Sequence, residues 1–167
     1  MGKENDKALP KGGFAIEEIV STYARLVAKI AFTYVGSTAE AEDIAQEVFL
    51  KLLQKPPAFS SAEHVKAWLM RVTANQARDY LKSSRYRRQS PLPDDLSYLP
   101  REENEVLQAI LAMETRYRIV LYLHYCEGYS IREIAQLLRK NAATIGSQLS
   151  RGRLLLQNDL KERGIDL

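Results

Sequence analysis

Residues 130–156, SIREIAQLLRKNAATIGSQLSRGRLLL, restrict the fold more tightly than any other stretch of the chain. Ser130 and Glu133 stand at the spacing of a capping box, in which hydroxyl and carboxylate each satisfy an N–H at a helix start. Ile131, Ile134, Ala135 and Leu138 then recur at i, i+3, i+4 and i+7, the period of one helix face. Arg139-Lys140-Asn141 breaks the pattern. Asn141 can cap a second helix whose inner face carries Ile145, Leu149 and Leu156. Two such helices make either a plain αα-hairpin within a bundle or a DNA-reading helix-turn-helix. The small Ala135 suits a close helix crossing, and the branched Ile145 can fill the corner behind it. The outward set is Thr144, Ser147, Gln148, Arg151 and Arg153, and no acid occurs between Glu133 and Asp159. A cationic helix rich in hydrogen-bonding groups suits a major groove. Arg139 counts the other way. Glycine is usual at this turn position, and a left-handed arginine costs on the order of 1 kcal/mol.

The rest of the composition narrows the class. With 167 residues, 46% of them apolar, the chain can form one domain or two small ones. The formal charge is only +3, but acids gather early and bases gather in two later stretches. The single cysteine, Cys126, excludes an intrachain disulfide and suits a reducing cytoplasm. No apolar run is long enough to span a bilayer, and the polar first thirteen residues do not read as a signal peptide, so no membrane insertion is expected.

Residues 1–13 carry charges, a proline and a glycine pair, and read as a tail. From 15 to 35, Ile16, Ile19, Val20, Tyr23, Leu26, Val27, Ile30 and Tyr34 keep a helical period that Gly36 ends. Ser37 or Thr38 can cap a second helix to about Leu53. Its inner stripe is Ile44, Val48, Phe49 and Leu52; its outer face shows Asp43, Gln46, Glu47 and Leu50. The helix macrodipole accounts for acids in the first turn but less well for Glu47. That face can be a solvated surface or a dock for a basic partner. Lys55-Pro56-Pro57 stops the helix.

A third helix spans about 62–82, with Val65, Trp68, Leu69, Val72, Tyr80 and Leu81 on its apolar side. Trp68 belongs to that stripe and reads as core. Between Lys66 and Arg88 stand seven bases and one acid, Asp79, interleaved with Trp68, Tyr80 and Tyr86. Bases among aromatics can hold phosphates and stack unpaired bases. Serines and prolines make 84–101 a linker. Helices are then expected over 102–113 and 117–126, the second ended by Gly128, before the helix-turn-helix. Residues 158–167 read as a fraying end. His64 is isolated, and His124 and Cys126 do not share a helix face. There is no phosphate-binding glycine loop, no metal-ligand spacing and no nucleophile–base pair. No cofactor, metal or catalytic residue is expected. The fold class is all-α: two small helical domains, 14–83 and 102–167, joined by a linker, the second holding the helix-turn-helix.

These blocks resemble a known family. EAEDIAQEVFLKLL (40–53) with AWLMRVTANQARDYL (67–81) is similar to the second conserved region of bacterial sigma factors. YRIVLYLHYCEGYSIREIAQLLRKNAATIGSQLSRGRLLL (117–156) is similar to the fourth. The missing middle and short linker resemble the extracytoplasmic-function (ECF, group 4) members.

The resemblance implies a chain that binds core RNA polymerase and directs it to promoter DNA. Asp43, Gln46, Glu47 and Leu50 would dock on the clamp helices of the largest catalytic subunit. Phe59 in the loop 57–61, with Asn75, Arg78 and Asp79, would recognise and melt the −10 element, while Lys82, Arg85, Arg87 and Arg88 hold phosphates. Arg139, Lys140, Thr144, Ser147, Gln148 and Arg151 would contact the −35 duplex. An anti-sigma factor is the usual partner of this group. Two departures stand out. Arg139-Lys140 replaces a common glycine and apolar residue, and Gly146 and Gln148 stand where lysine and arginine are common. The alternative functions are a free-standing helix-turn-helix regulator with a dimerising first domain, or a helical adaptor that binds only protein.

Overall fold

The computed structural model describes residues 14–83 and 104–165, all helix and connecting turns. Helix α1 (Ile16–Val35) places Glu17 and Glu18 in its first turn, where the macrodipole favours them. It ends at Gly36, whose φ of 71° is left-handed. Glycine adopts that geometry freely. Helix α2 (Thr38–Gln54) is capped by Ser37 and α3 (Ala62–Lys82) by Ser61, whose hydroxyl accepts from the His64 amide at 3.0 Å. The three helices close on Val27, Ile30, Ala31, Ile44, Val48, Leu52, Val65 and Leu69. Two threonines are buried in this group. The Thr33 hydroxyl donates back to Lys29 O at 2.8 Å, and the Thr73 hydroxyl to Leu69 O at 2.6 Å. Such back-bonding to the preceding turn satisfies a hydroxyl that water cannot reach. Tyr80 Oη donates to Glu40 at 2.6 Å and ties α3 to the start of α2.

The second group comprises α4 (Asn104–Ala112), α5 (Thr115–Leu121), α6 (Ile131–Leu138) and α7 (Ala142–Glu162). The helix expected over 117–126 is α-helical only to Leu121. Tyr122–Cys126 widens into a π-helical turn. Periodicity gives no sign of it, because Tyr122 and Leu123 simply continue the apolar run and both are buried. Tyr122 Oη donates to Glu127, and burial pushes that hydroxyl's pKa well above its ordinary range. The expected fraying over 158–167 is corrected: α7 runs unbroken to Glu162. Leu160 is fully buried and Ile165 packs on the core, so apolar contact holds the last turns in place.

The two groups pack on each other. Ile30, Thr33, Tyr34, Met70 and Ala74 from the first face Ile119, Tyr122, Leu123, Leu137 and Leu138 from the second, and the buried residues of both form one contiguous core. Two arginines cross this seam in opposite directions. Arg118 on α5 donates to Tyr34 O at 2.8 Å, at the end of α1, and to Leu111 O at 3.0 Å, at the end of α4. Arg78 on α3 donates to Leu138 O at 3.5 Å, at the end of α6. A guanidinium at a helix C-terminus meets carbonyls that no later residue of the helix can satisfy.

Candidate nucleic-acid interface

Helix α2 turns Ala41, Ile44, Val48 and Leu52 inward. That phase fixes the rest: Asp43, Gln46, Glu47 and Leu50 lie exposed on the opposite side. Leu50 is 47% exposed, and Leu53, which the sequence reading did not nominate, is 54% exposed. Two bare leucines among carboxylates form a mixed face that can bury area against a basic helix and steer it by charge. Leu53 could have been found by continuing the outward stripe one step beyond Leu50.

The second surface lies along α3 and the loop before it. Phe59 is half-buried. Its ring stands edge-to-face with Phe14 at 5.9 Å, His64 at 5.5 Å and Trp68 at 5.8 Å. Edge-to-face contacts set the positive rim of one ring against the negative face of the next. Trp68 is indeed packed against the core, as its stripe position suggests. His64 is not isolated: its Nδ1 accepts from the Ser60 amide at 3.3 Å and helps shape the loop. Asn75 and Arg78 are adjacent, with Arg78 Nη2 donating to Asn75 Oδ1 at 2.5 Å. Asp79 and Lys82 are exposed at the helix end. Arg85, Arg87 and Arg88 lie outside the described residues.

The third surface is the helix-turn-helix. Its capping box is complete: Glu133 N–H donates to Ser130 Oγ at 3.3 Å, and Ser130 N–H donates to Glu133 Oε2 at 2.7 Å. Those bonds hold the Glu133 carboxyl below its ordinary pKa. Ile134 and Ile145 are fully buried at the crossing beside Ala135. Each such side chain contributes about 1.5–3 kcal/mol relative to exposure. Arg139 does take the left-handed conformation, with φ 51° and ψ 47°. It and Lys140 project exposed from the turn. Asn141 Oδ1 accepts from the Ala143 amide at 2.8 Å and starts α7. Thr144, Ser147 and Arg151 are exposed along one side of α7, and Arg153 is exposed about half a turn away from them. Gln148 differs. Its Oε1 is enclosed with no hydrogen-bond partner among the described residues. Arg153 lies over the Tyr125 ring at 5.7 Å. One face of its guanidinium is thus already covered by a cation–π contact.

Comparison with known proteins bears on these surfaces. The chain matches the models for sigma-70 region 2 over residues 19–87 and sigma-70 region 4 over residues 103–156. It is 26% identical to the ECF RNA polymerase sigma factor SigW of Bacillus subtilis, covering 97% of this chain and 98% of SigW. It is 29% identical to the ECF sigma factor SigL of Mycobacterium tuberculosis, covering 86% of this chain and 87% of SigL. The chain belongs to the ECF sigma factors of the sigma-70 family. The probable sigma factor RfaY of Xanthomonas campestris is 31% identical, but the match spans only 41% of RfaY. Two solved structures share the fold. They are the sigma factor RpoE of Bartonella quintana in complex with the anti-sigma factor NepR, with TM-score 0.70, 21% identity and coverage of 87% and 96%, and CnrH in complex with the cytosolic domain of CnrY, with TM-score 0.60, 20% identity and coverage of 88% of each chain.

In this sigma factor the acidic α2 face and the α3 surface fall within the region 2 match, and the helix-turn-helix falls within the region 4 match. Among the described residues no group of His, Cys, Asp and Glu could hold a metal ion. No helix among them is long and apolar enough to cross a membrane.

Proposed function

We propose that this sigma factor joins core RNA polymerase through the α2 face of Asp43, Gln46, Glu47 and Leu50, extended by Leu53, and thereby sets where transcription starts. Phe59, Asn75, Arg78, Asp79 and Lys82, with Arg85, Arg87 and Arg88 beyond them in sequence, serve the −10 element. Melting requires a base to leave its stack for a pocket and its neighbours to be held off their partners, which aromatics and arginines together can do. Arg139, Lys140, Thr144, Ser147 and Arg151 contact the −35 duplex, and Gln148 joins them only after rotating its enclosed carbonyl outward. The protein does no covalent chemistry. It works in the cytoplasm, where polymerase and promoter are, and is held in check by an anti-sigma factor, a partner of the kind that the RpoE neighbour carries in NepR.

The observation that carries this reading is the presence, in one chain, of an acidic face with bare leucines and a separate cationic recognition helix. A free-standing regulator with a dimerising first domain has no use for the first, and a protein-binding adaptor has no use for the second. Single-round run-off transcription from genomic fragments tests it. Purified core polymerase should start at one class of promoter only when this protein is added. A protein that neither co-purifies with core nor changes the start sites refutes the reading.

A further inference from the structure

The large apolar side chains that stand exposed among the described residues are Leu50, Leu53, Tyr125, Leu154 and Leu155. Tyr125 has Arg153 over its ring. The leucines form two pairs. Leu50 and Leu53 sit on α2, while Leu154 and Leu155, 58% and 43% exposed, sit toward the end of α7. Each pair adjoins charge of one sign. Asp43 and Glu47 precede the α2 pair on the same face, and Arg151 precedes the α7 pair. These three charged side chains are exposed, and the ion pairs of the described residues lie elsewhere, between Arg116 and Glu114 and between Arg163 and Asp159.

The two faces are complementary in both charge and spacing. Leu50 follows Glu47 by three residues, and Leu154 follows Arg151 by three. Two helices laid side by side in the same direction, leucine pair on leucine pair, therefore bring Glu47 level with Arg151. Asp43 then lies level with Ser147, whose hydroxyl can donate to it. The reverse direction turns Arg151 toward Lys55 and leaves the carboxylates between Lys161 and Glu162, where the charges cancel. Charge thus fixes the direction and register of the contact. Within one molecule the two faces do not cover each other, since all four leucines are exposed. A second copy supplies the missing face.

We infer that α2 of one copy docks on α7 of a second copy, leucines on leucines and Glu47 on Arg151, so that the free protein self-associates. The contact is heterologous, and each copy offers one face of each kind. Two helix faces make a small interface, so the association is weak, with a Kd on the order of 10 μM. It occupies the same α2 leucines and carboxylates that are proposed to dock on core polymerase, so a given copy uses that face for one or the other. The self-association itself does not depend on the polymerase reading.

Sedimentation velocity of the full chain tests it, over a range from about 1 to about 200 μM that brackets the expected Kd. The mean sedimentation coefficient of the wild type should rise with concentration. Leu53→Lys spoils the α2 face and Leu154→Glu spoils the α7 face, each by setting like charge against the partner. Either variant alone should stay monomeric. An equimolar mixture should form a heterodimer of one L53K and one L154E, because each keeps the face that the other has lost. A second set changes charge alone: Glu47→Arg and Arg151→Glu should each weaken association on the order of tenfold, and the chain carrying both should recover it. A wild type that remains monomeric at about 200 μM overturns the inference. So does association that survives either leucine substitution, or a mixture of the two variants that fails to pair while both keep the wild-type circular dichroism. If either leucine variant loses its helical signal, the charge set decides, and a double reversal that does not recover association is equally fatal. A chain that self-associates as described but never co-elutes with core would sink the polymerase reading alone.

Discussion

Gly152 on α7 meets Tyr117 on α5 so closely that a Cβ added to the glycine would stand 3.3 Å from the tyrosine Cβ and 3.2 Å from Leu121 Cδ1. The glycine is buried there and lets two helix backbones approach. Six residues earlier on the same helix, Gly146 has only Ile131 Cδ1 at 4.0 Å. Helix interiors prefer alanine over glycine by roughly 0.5–1 kcal/mol. Gly146→Ala should therefore stabilise the protein by about that amount. Gly152→Ala should gain nothing net, since crowding against Tyr117 offsets the propensity, and Gly152→Val should cost about 1–3 kcal/mol. Urea midpoints of the three variants check the order.

Arg139 is the only non-glycine residue among those described that has positive φ. Arg139→Gly should remove on the order of 1 kcal/mol of left-handed strain and raise the melting temperature. It should also weaken binding to a −35 duplex, since the turn loses a cation exposed toward DNA. The two effects have opposite signs, so thermal melts and holoenzyme footprinting of the −35 region separate them. A glycine variant that melts lower than wild type would show that the Arg139 side chain supplies more than it costs.

The helix-turn-helix was legible because three independent local signals agree there: the capping box at Ser130 and Glu133, the period through Leu138, and the cap at Asn141. The acidic face of α2 was legible as geometry, since an inward stripe of Ile44, Val48 and Leu52 dictates what faces out. Its role was not, because a solvated face and a dock have the same pattern. What the sequence hid was tertiary. Leu160 sits past the last recognisable motif, and only the packing of α7 on the earlier helices shows it fully buried. The seam is hidden for the same reason. Arg78 and Leu138 are 60 residues apart, and Arg118 and Tyr34 are 84 apart, with no local pattern linking either pair. Gln148 looked like a contact by spacing, but the structure encloses its carbonyl oxygen.

Asp43 and Glu47 are one turn apart and both exposed on α2. Replacing either with lysine changes the sign of a surface that a basic partner would approach, without disturbing a buried group. Like charges set against each other at an interface cost several kcal/mol. Asp43→Lys and Glu47→Lys should each reduce core polymerase binding severely while leaving the circular dichroism melt within about 0.5 kcal/mol of wild type. Co-elution with core on a sizing column is the measurement. Undiminished co-elution of both variants would place the docking surface elsewhere.

The pH dependence of the capping box has a definite sign. The Ser130 amide donates to the Glu133 carboxylate and holds its pKa below the ordinary glutamate value of 4.5, with Ser130 Oγ and Lys66 acting in the same direction. The native state therefore takes up the Glu133 proton at lower pH than the unfolded chain does. The stabilisation is fully present above the unfolded value and is lost as pH falls through the lower native one. Glu133→Gln keeps an acceptor at the same spacing but cannot titrate. Wild type should exceed the glutamine variant in stability by a constant amount at about pH 7 and about pH 5.5, both above the glutamate range. The difference should shrink between about pH 4.5 and about pH 3, as the carboxyl protonates in the folded state. Paired urea melts of the two proteins across that series provide the check. A difference that stays constant down to about pH 3 would mean that the Glu133 charge contributes nothing to the start of α6.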